Sequence, residues 1–208
     1  MPKTVRTHTA IVVDRSGSMA ENDMSTEADS SIRVFIQKLR DLPSHVKGTV
    51  SLYQFDTLFE PVYGPVKPAD APDYHCAPRG ATALYDAVAL TILQTRITLQ
   101  ALDKKPDKVA LVIMTDGKEN ASHEHSFNGQ QALIAEAKLA GWEVTFLAGT
   151  PQAVDYGKWS GLKTTAYRGG VRGQTMSAYE ASSAAVADFY TGQTESVETP
   201  DSVIEEEK

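Results

Sequence analysis

The 208-residue sequence predicts an α/β fold with a largely parallel sheet, because short apolar β-like runs alternate with helical patterns along the chain. Two runs, 10–13 and 109–114, are rich in branched apolar residues. The second is continuously apolar, which is typical of a central parallel strand covered on both faces. Between these runs, residues 25–41 show the periodicity of an amphipathic helix, whose apolar face is formed by Ala28, Ile32, Phe35, Ile36 and Leu39.

The remaining elements continue this alternation. Residues 49–55 alternate polar and apolar side chains as a half-buried strand does, and 57–63 is predicted to pair with them as a short edge strand. The unusually apolar segment 83–102 is predicted to be a buried helix. Gly141 stands where a C-terminal cap would end a helix over 128–140. The last predicted elements are a strand over 142–147, a short helix from Pro151, a strand over 163–167 and a helix over 177–190.

Half of the ten prolines fall in one connection, at Pro61, Pro65, Pro68, Pro72 and Pro78. Proline is excluded from helix interiors and central strands, so this segment is predicted to be irregular. Long irregular connections in compact domains are often functional, and this one leads directly into a polar motif at residues 80–86. We therefore expect the segment 61–78 to form the rim of the functional face and to contribute to partner specificity.

The net charge of −7, from 20 basic and 27 acidic residues, argues against binding to nucleic acids, which requires a basic face. The charge is concentrated at one end of the chain. Residues 193–208 contain six acids and one lysine, a net −5, which leaves −2 for residues 1–192. Because 193–208 also lack periodicity, we predict one domain over 1–192 and an acidic, disordered tail over 193–208.

Composition also limits the chemistry and the location. The single cysteine, Cys76, excludes an internal disulfide and a cysteine-based zinc site. The apolar runs are far shorter than the ~20 residues of a membrane helix, and the first residues lack the apolar stretch of a signal peptide. We therefore expect a cytoplasmic protein that makes no membrane contact.

Three short polar motifs carry the chemistry, and each follows a predicted strand or begins a helix. They are Asp14-Arg-Ser-Gly-Ser-Met19, Gly80-Ala-Thr-Ala-Leu-Tyr-Asp86 and Thr115-Asp-Gly-Lys118. In doubly wound sheets, ligands bind beyond the carboxyl ends of the strands, at the point where the strand order reverses. If the strands before Asp14 and Asp116 are neighbours at that point, the two carboxylates face each other.

Five side chains in these motifs offer oxygen ligands to one metal ion: Asp14, Ser16, Ser18, Thr82 and Asp116. Hard oxygen ligands suit Mg²⁺, Mn²⁺ or Ca²⁺ and suit zinc or copper poorly. Two carboxylates only just neutralise a divalent cation, and the hydroxyls add no negative charge. Such an ion stays electrophilic and attracts an anionic oxygen from outside the chain.

The same three motifs resemble those of the von Willebrand factor type A (VWA) domain, over about residues 5–190. Its metal-ion-dependent adhesion site (MIDAS) uses an Asp-x-Ser-x-Ser motif, a threonine and a Thr-Asp-Gly motif in this order, and all five positions match here. The chain resembles the small stand-alone intracellular members of bacteria and their phages more than the disulfide-bearing extracellular ones.

This resemblance implies a Rossmann-like three-layer sandwich with a six-stranded sheet in the order 3-2-1-4-5-6. The short third strand is expected to be antiparallel at one edge. The resemblance also implies a Mg²⁺ or Mn²⁺ ion, Ca²⁺ being less favoured. In that family, the hydroxyl residues bind the ion directly and the aspartates bind it directly or through water. Its last coordination position is filled by an Asp or Glu of a partner protein.

Several other residues have two interpretations. Asp86 is either a further metal ligand or, as we favour, a structural hydrogen-bond acceptor. His123 and His125 could serve a second metal or act as bases, although a solvated turn is the favoured interpretation. Arg15 and Arg79 flank the metal motifs, so they are either a grip for an acidic partner or plain surface residues.

The favoured function is a non-enzymatic, metal-dependent protein-binding module that recognises an exposed Asp or Glu of a partner. One alternative is a metal-dependent hydrolase, whose only candidate bases lie at residues 123–125. Another is a subunit that works beside an AAA+ ATPase. The tail carboxylates Glu205, Glu206 and Glu207 could also dock on this metal or on that of a second copy, so self-association stays open.

Overall fold

The computed structural model describes residues 2–21, 23–169, 171 and 173–203, which form a six-stranded sheet with helices on both faces. The strands are β1 (Val5–Asp14), β2 (Val46–Phe55), β3 (Phe59–Val66), β4 (Lys108–Thr115), β5 (Trp142–Ala148) and β6 (Lys163–Ala166). The helices are α1 (Met24–Arg40), α2 (Leu84–Ala101), α3 (Phe127–Leu139), α4 (Pro151–Trp159) and α5 (Gln174–Thr191).

The strand order is β3-β2-β1-β4-β5-β6, and the β2–β3 pair is antiparallel whereas the other neighbouring pairs are parallel. This confirms the expected doubly wound, Rossmann-like sandwich with one antiparallel edge strand. Among the described residues, no helix is long and apolar enough to cross a membrane.

The sheet has a core on each face because its central strands are buried on both sides. In β1, Ile11 and Val13 belong to the core formed with α1 and α5. The alternate residues Ala10 and Val12 belong to the core formed with α2, α3 and α4. The period of two along the strand thus distributes the apolar residues between the two cores.

The pairing of β1 with β4 brings the predicted motifs together. The two strands are parallel, and Val13 lies opposite Met114. The residues that follow, Asp14 and Thr115, therefore emerge side by side at the carboxyl edge of the sheet. In this strand order the chain continues from β1 to β2 on one side of the β1–β4 pair and from β4 to β5 on the other side. The carboxyl edge of this pair is therefore the point at which the strand order reverses.

The proline-rich connection contains more structure than its sequence suggests. Pro61 and Pro65 lie in β3, which is compatible with proline because β3 is an edge strand. Beyond β3 the chain packs on α1. There the side chain of Asp29 accepts a 2.6 Å hydrogen bond from the backbone N–H of Cys76, and Tyr74 is buried in the α1–α5 core.

Residues 193–203 fall in the segment that the sequence predicts to be a disordered tail. These residues run along β6, where the N–H of Ala166 donates to the carbonyl of Asp201 at 2.9 Å. Val197 is fully buried in the α1–α5 core. The acidic composition did not reveal this one apolar anchor. Residues 204–208, which include the candidate docking carboxylates of the tail, lie outside the described residues.

We predict that His8 makes stability depend on pH. Its ring is buried in β1, with Nδ1 at 2.9 Å from the Thr49 hydroxyl, and burial lowers the pKa of His8 to about 4. The folded chain therefore keeps His8 neutral while the unfolded chain protonates it below about pH 6.5. The contribution of the neutral His8 ring to stability is fully present above that pH. The free energy of unfolding falls by about 3 kcal/mol as the pH drops to 4.

Urea unfolding of the wild type and of His8→Leu between pH 7 and pH 4 measures this contribution as the difference between the two proteins. The difference in free energy of unfolding should change by about 3 kcal/mol across the range. Parallel pH profiles would show that His8 titrates alike in the folded and unfolded chains.

Candidate metal centre

An open cleft of about 490 Å³ lies at the carboxyl edge of the sheet, beyond the ends of β1 and β4. Its walls come from the turns after these two strands, the segment before α2 and the start of α4. The polar side chains on the walls belong to Ser16, Ser18, Glu21, Thr82, Asp116, Lys118, Asn120, Thr150 and Gln152. The cleft therefore occupies the position at which doubly wound sheets bind ligands.

Asp14 is the last residue of β1 and is completely buried. One carboxylate oxygen, Oδ1, accepts a 2.7 Å hydrogen bond from the backbone N–H of Ser16, so the chain turns sharply just after the strand. The other, Oδ2, accepts from the hydroxyl of Thr115 at the end of β4. These two bonds fix the orientation of the carboxylate.

A short row of hydroxyls connects the turn after β1 to the turn after β4. The Ser16 and Ser18 hydroxyl oxygens are 3.2 Å apart, and the Ser18 hydroxyl donates to Oδ1 of Asp116, also at 3.2 Å. Asp116 is only 4% exposed. Four of the five predicted ligands are thus in a continuous polar cluster that includes both carboxylates.

Thr82 reaches the same cluster from the segment before α2. If Gly117 carried a Cβ atom, that atom would lie 2.7 Å from the Thr82 hydroxyl oxygen and 3.2 Å from Oδ2 of Asp14. The Thr82 hydroxyl and the Asp14 carboxylate therefore both approach the backbone of Gly117, and the absence of a side chain there is required for this approach. The structure brings all five predicted residues together.

Asn120 holds Thr82 in place and was not identified from the sequence. Its side-chain oxygen accepts a 2.8 Å hydrogen bond from the backbone N–H of Thr82. The backbone N–H of Asn120 in turn donates to the Thr82 carbonyl at 3.0 Å. Asn120 thus joins the turn after β4 to the segment before α2 through two hydrogen bonds. Its place four residues after Asp116, in a polar turn, was the only available sequence signal.

The two carboxylates of the cluster repel each other. Burial, and next the charge of Asp116, raise the pKa of Asp14 to about 7. Burial also raises the pKa of Asp116, although the hydrogen bond from Ser18 opposes this effect. Within the described residues, no Lys, Arg or His forms an ion pair with either carboxylate. The described side chains therefore leave this negative charge largely uncompensated.

Asp86 is a structural acceptor, as the sequence favoured. Its carboxylate accepts hydrogen bonds from the backbone N–H groups of His123, Glu124 and His125, at 2.6–3.2 Å. The His123 side chain lies 3.5 Å from Asp86, and neither histidine lines the cleft. Residues 123–125 are thus anchored through their backbone, beside the cleft and outside it.

Arg15 and Arg79 are engaged in ion pairs within the chain and are not free groups for binding an acidic partner. Both guanidinium groups form ion pairs with Asp56, at 2.8 and 2.7 Å, and with Glu60. Arg15 is only 6% exposed, so it is not a plain surface residue. Neither arginine lines the cleft.

The connection over 61–78 does not form the rim of the cleft, contrary to the sequence-based expectation. All of these residues are described, and none of them lines it; the contribution from this part of the chain comes from Gly80, Ala81 and Thr82. The reason is the packing of the connection on α1. Cys76, within it, is buried, and burial raises the pKa of its thiol to about 11, which keeps it protonated and unreactive.

No protein-family profile and no curated protein sequence matches this chain. Solved structures do match it. The vWF domain of the type V pili tip protein Mfa5 from Porphyromonas gingivalis has a TM-score of 0.64 and 11% identity, over 96% of this chain and 100% of that domain. The SpRpn10 VWA domain has a TM-score of 0.59 and 14% identity, over 82% of this chain and 92% of that domain.

Proximal thread matrix protein 1 from the mussel byssus matches at a TM-score of 0.64 and 12% identity, over 90% of this chain and 46% of the mussel protein. The chain thus spans about half the length of that protein. A second structure of the mussel protein, described as having a zinc-occupied MIDAS motif, matches at a TM-score of 0.60 and 13% identity, over 85% and 45% of the two chains. At these identities the comparisons establish a shared fold, which is the VWA fold.

We predict that removing the charge of Asp14 stabilises the metal-free protein. Because its pKa is about 7 in the folded chain and near 3.8 when unfolded, ionisation of Asp14 weakens folding increasingly as the pH rises from 4 to 7. Asp14→Asn removes this cost. In a chelator at pH 8 the variant should gain at most about 4 kcal/mol in free energy of unfolding.

The gain should shrink towards pH 4, where the wild-type carboxyl is protonated in the folded chain and only partly ionised in the unfolded chain. Urea unfolding in EDTA at several pH values measures it. A variant that is less stable than the wild type at pH 8 would show that the carboxylate contributes more through its hydrogen bonds than it costs through repulsion.

Proposed function

We propose that this chain is a metal-dependent protein-binding module. A divalent cation at the cluster in the cleft would be held by Asp14, Ser16, Ser18, Thr82 and Asp116. The observation that carries the proposal is the pair of buried carboxylates in the cleft, surrounded by hydroxyls and without a described cationic partner. Uncompensated buried charge is costly, and a cation would relieve it.

The donor set fits a hard cation. Every candidate ligand offers oxygen, which suits Mg²⁺ or Mn²⁺. In the described part of the chain, no group of three or more His, Cys, Asp and Glu residues is placed to hold a metal, so a site with two carboxylates must draw on hydroxyls. The description of a zinc-occupied MIDAS motif in the mussel protein supports a divalent ion in this fold.

A bound cation would supply an electrophilic position to which a carboxylate from outside can bind. The chain contributes the orientation of the donors: Thr115 fixes Asp14, Ser18 bonds to Asp116, and Asn120 holds Thr82. Because these contacts already exist in the structure, binding requires little rearrangement of the cluster.

The shape of the cleft favours a protein ligand. It is open, and at about 490 Å³ it is larger than one ion and one carboxylate require. Exposed charged side chains of both signs, Glu21 and Lys118, lie on its walls. We therefore propose that the partner presents an exposed Asp or Glu on a segment that enters the cleft and contacts these rim residues.

Binding accounts for the site better than hydrolysis does. A metal-dependent hydrolase needs a base or a nucleophile close to the substrate. Among the described residues that line the cleft there is no His or Cys, and the candidate bases at 123–125 face Asp86 or solvent. We therefore propose a binding module rather than a hydrolase.

Metal binding should be measurable as one site per chain by calorimetry or by Mn²⁺ electron paramagnetic resonance. Asp14→Ala and Ser16→Ala should each weaken Mn²⁺ binding at least about tenfold, because each removes an oxygen donor from a small set. Ser126→Ala is a matched control, since this serine hydroxyl accepts a hydrogen bond from Gly129 at the start of α3, outside the cleft. Wild-type affinity in both site variants would refute the site.

Partner binding should depend on the cation and on the cluster together. Affinity purification with the wild-type chain in Mg²⁺ should retain proteins that are lost in EDTA and that Asp14→Ala does not retain. For a retained protein, replacing the contacting Asp or Glu with Asn or Gln should abolish binding. Equal recovery by Asp14→Ala in Mg²⁺ would contradict a metal-dependent interaction.

A further inference from the structure

A charged cluster next to the candidate metal centre has no role in the function proposed so far. Nε of Arg79 donates to Asp56 at 2.7 Å, Nε of Arg15 lies 2.8 Å from the same carboxylate oxygen in an ion pair, and both arginines also bond to Glu60. The inner members are almost inaccessible, since Asp56 is 2% and Arg15 6% exposed. The outer members, Arg79 and Glu60, have side chains that are 51% and 39% exposed.

The two arginines come from the two turns that carry the predicted hydroxyl ligands. Arg15 stands between Asp14 and Ser16, and Arg79 stands three residues before Thr82. The backbones of these turns are joined as well. The N–H of Arg79 donates to the carbonyl of Arg15 at 2.9 Å, and the N–H of Gly17 donates to the carbonyl of Gly80 at 3.1 Å.

Asp56 connects both turns to the end of β2. Its side chain holds the two guanidinium groups, and its carbonyl accepts a 2.9 Å hydrogen bond from the N–H of Ala83, next to Thr82. Its second carboxylate oxygen accepts from the N–H of Leu58 at 2.8 Å, which fixes the aspartate itself. One buried carboxylate thus sets the position of the segments on either side of the cluster.

The same contacts decide where the charge of Arg15 lies. An arginine adjacent to Asp14 could neutralise the carboxylates of the cluster and occupy the position of a cation. In the structure its guanidinium is directed to Asp56 and Glu60 instead. The two positive and two negative charges balance within the group, so Asp14 and Asp116 are left for a ligand from outside.

Stability alone is a weak reason for such a group, because a buried ion pair often adds little over apolar residues of similar size. Its contribution is better explained by the geometry that it imposes. We propose that Asp56 is a positioning residue of the metal centre. It holds the Ser16–Ser18 turn and Thr82 in register and keeps Arg15 away from the two carboxylates. This inference rests on the proposed metal-binding function.

Mn²⁺ titration of Asp56→Asn tests the proposal. The variant keeps the size of the side chain but loses its charge, so Arg15 loses one of its two carboxylate partners and the two turns lose their common anchor. We expect Mn²⁺ binding to weaken at least about tenfold, as is typical when an outer residue that orients metal ligands is removed. Water-proton relaxation of the bound Mn²⁺ should also show more coordinated water, because loosened hydroxyl ligands are replaced by solvent.

Glu136→Gln is the matched control, because Glu136 forms a 2.9 Å ion pair with Arg96 between α2 and α3, outside the cleft. It should leave both readouts unchanged. Arg79→Gln provides a second test if Asp56→Asn does not fold, since the buried pair of Arg15 and Asp56 stays intact in it. This variant should weaken Mn²⁺ binding severalfold while its circular dichroism spectrum matches the wild type.

The outcomes separate the two proposals. If the wild type binds no Mn²⁺, the proposed function is wrong, and this inference is wrong with it. If the wild type binds Mn²⁺ and Asp14→Ala does not, but a folded Asp56→Asn or Arg79→Gln binds with wild-type affinity and the same number of coordinated waters, only the positioning role is overturned.

Discussion

The repulsion between two buried carboxylates, Asp14 and Asp116, is the constraint on which the rest of the site depends. Parallel pairing of β1 with β4 forces the ends of these strands together, and each strand is followed or ended by an aspartate. Burial raises the pKa of both groups, and the charge of Asp116 adds to the effect on Asp14. A fold that gains from burying the central strands therefore carries an electrostatic cost at their ends.

The surrounding residues reduce this cost without removing it. Hydrogen bonds from Thr115, the N–H of Ser16 and the Ser18 hydroxyl stabilise the ionised carboxylates. None of these donors brings a net charge. Arg15, the cation nearest in sequence to Asp14, is directed to Asp56. The arrangement thus stabilises the two ionised carboxylates without placing a described positive charge beside them.

Side-chain acceptors organise the loops around the cleft in a consistent way. Asp86 anchors the backbone of 123–125, Glu119 accepts hydrogen bonds from the N–H groups of Tyr85 and Ser122, and Asn120 is bonded to both sides of Thr82. Irregular segments have no ladder partners for their backbone N–H groups, so these side chains take that role. The loops at the carboxyl edge are thus fixed to α2 and to each other.

The sequence by itself determined the layers of the fold and the identity of the cluster. The continuous apolar run in β4 reflects burial on two faces, which is a local property of that strand. The alternation in β2 predicted burial on one face, whereas Val50 and Leu52 pack in one core and Tyr53 and Phe55 in the other. The strand order and the antiparallel edge strand came from the resemblance, which rests on three motifs. The five oxygen-bearing residues could be named because each lies just beyond a recognisable strand or just before a helix.

Only the tertiary structure decided the roles that depend on contacts between distant parts of the chain. Asp56, Asn120 and Val197 have no distinctive local pattern, since their partners lie 23 to 41 residues away or, for Val197, in the α1–α5 core. For the same reason the sequence did not reveal that the part of 61–78 beyond β3 packs on α1, or that the segment ending at Val203 bonds to β6. Local periodicity indicates which face of an element is buried. Ion pairs, hydrogen bonds between loops and the packing of irregular segments depend on which elements meet when the chain folds.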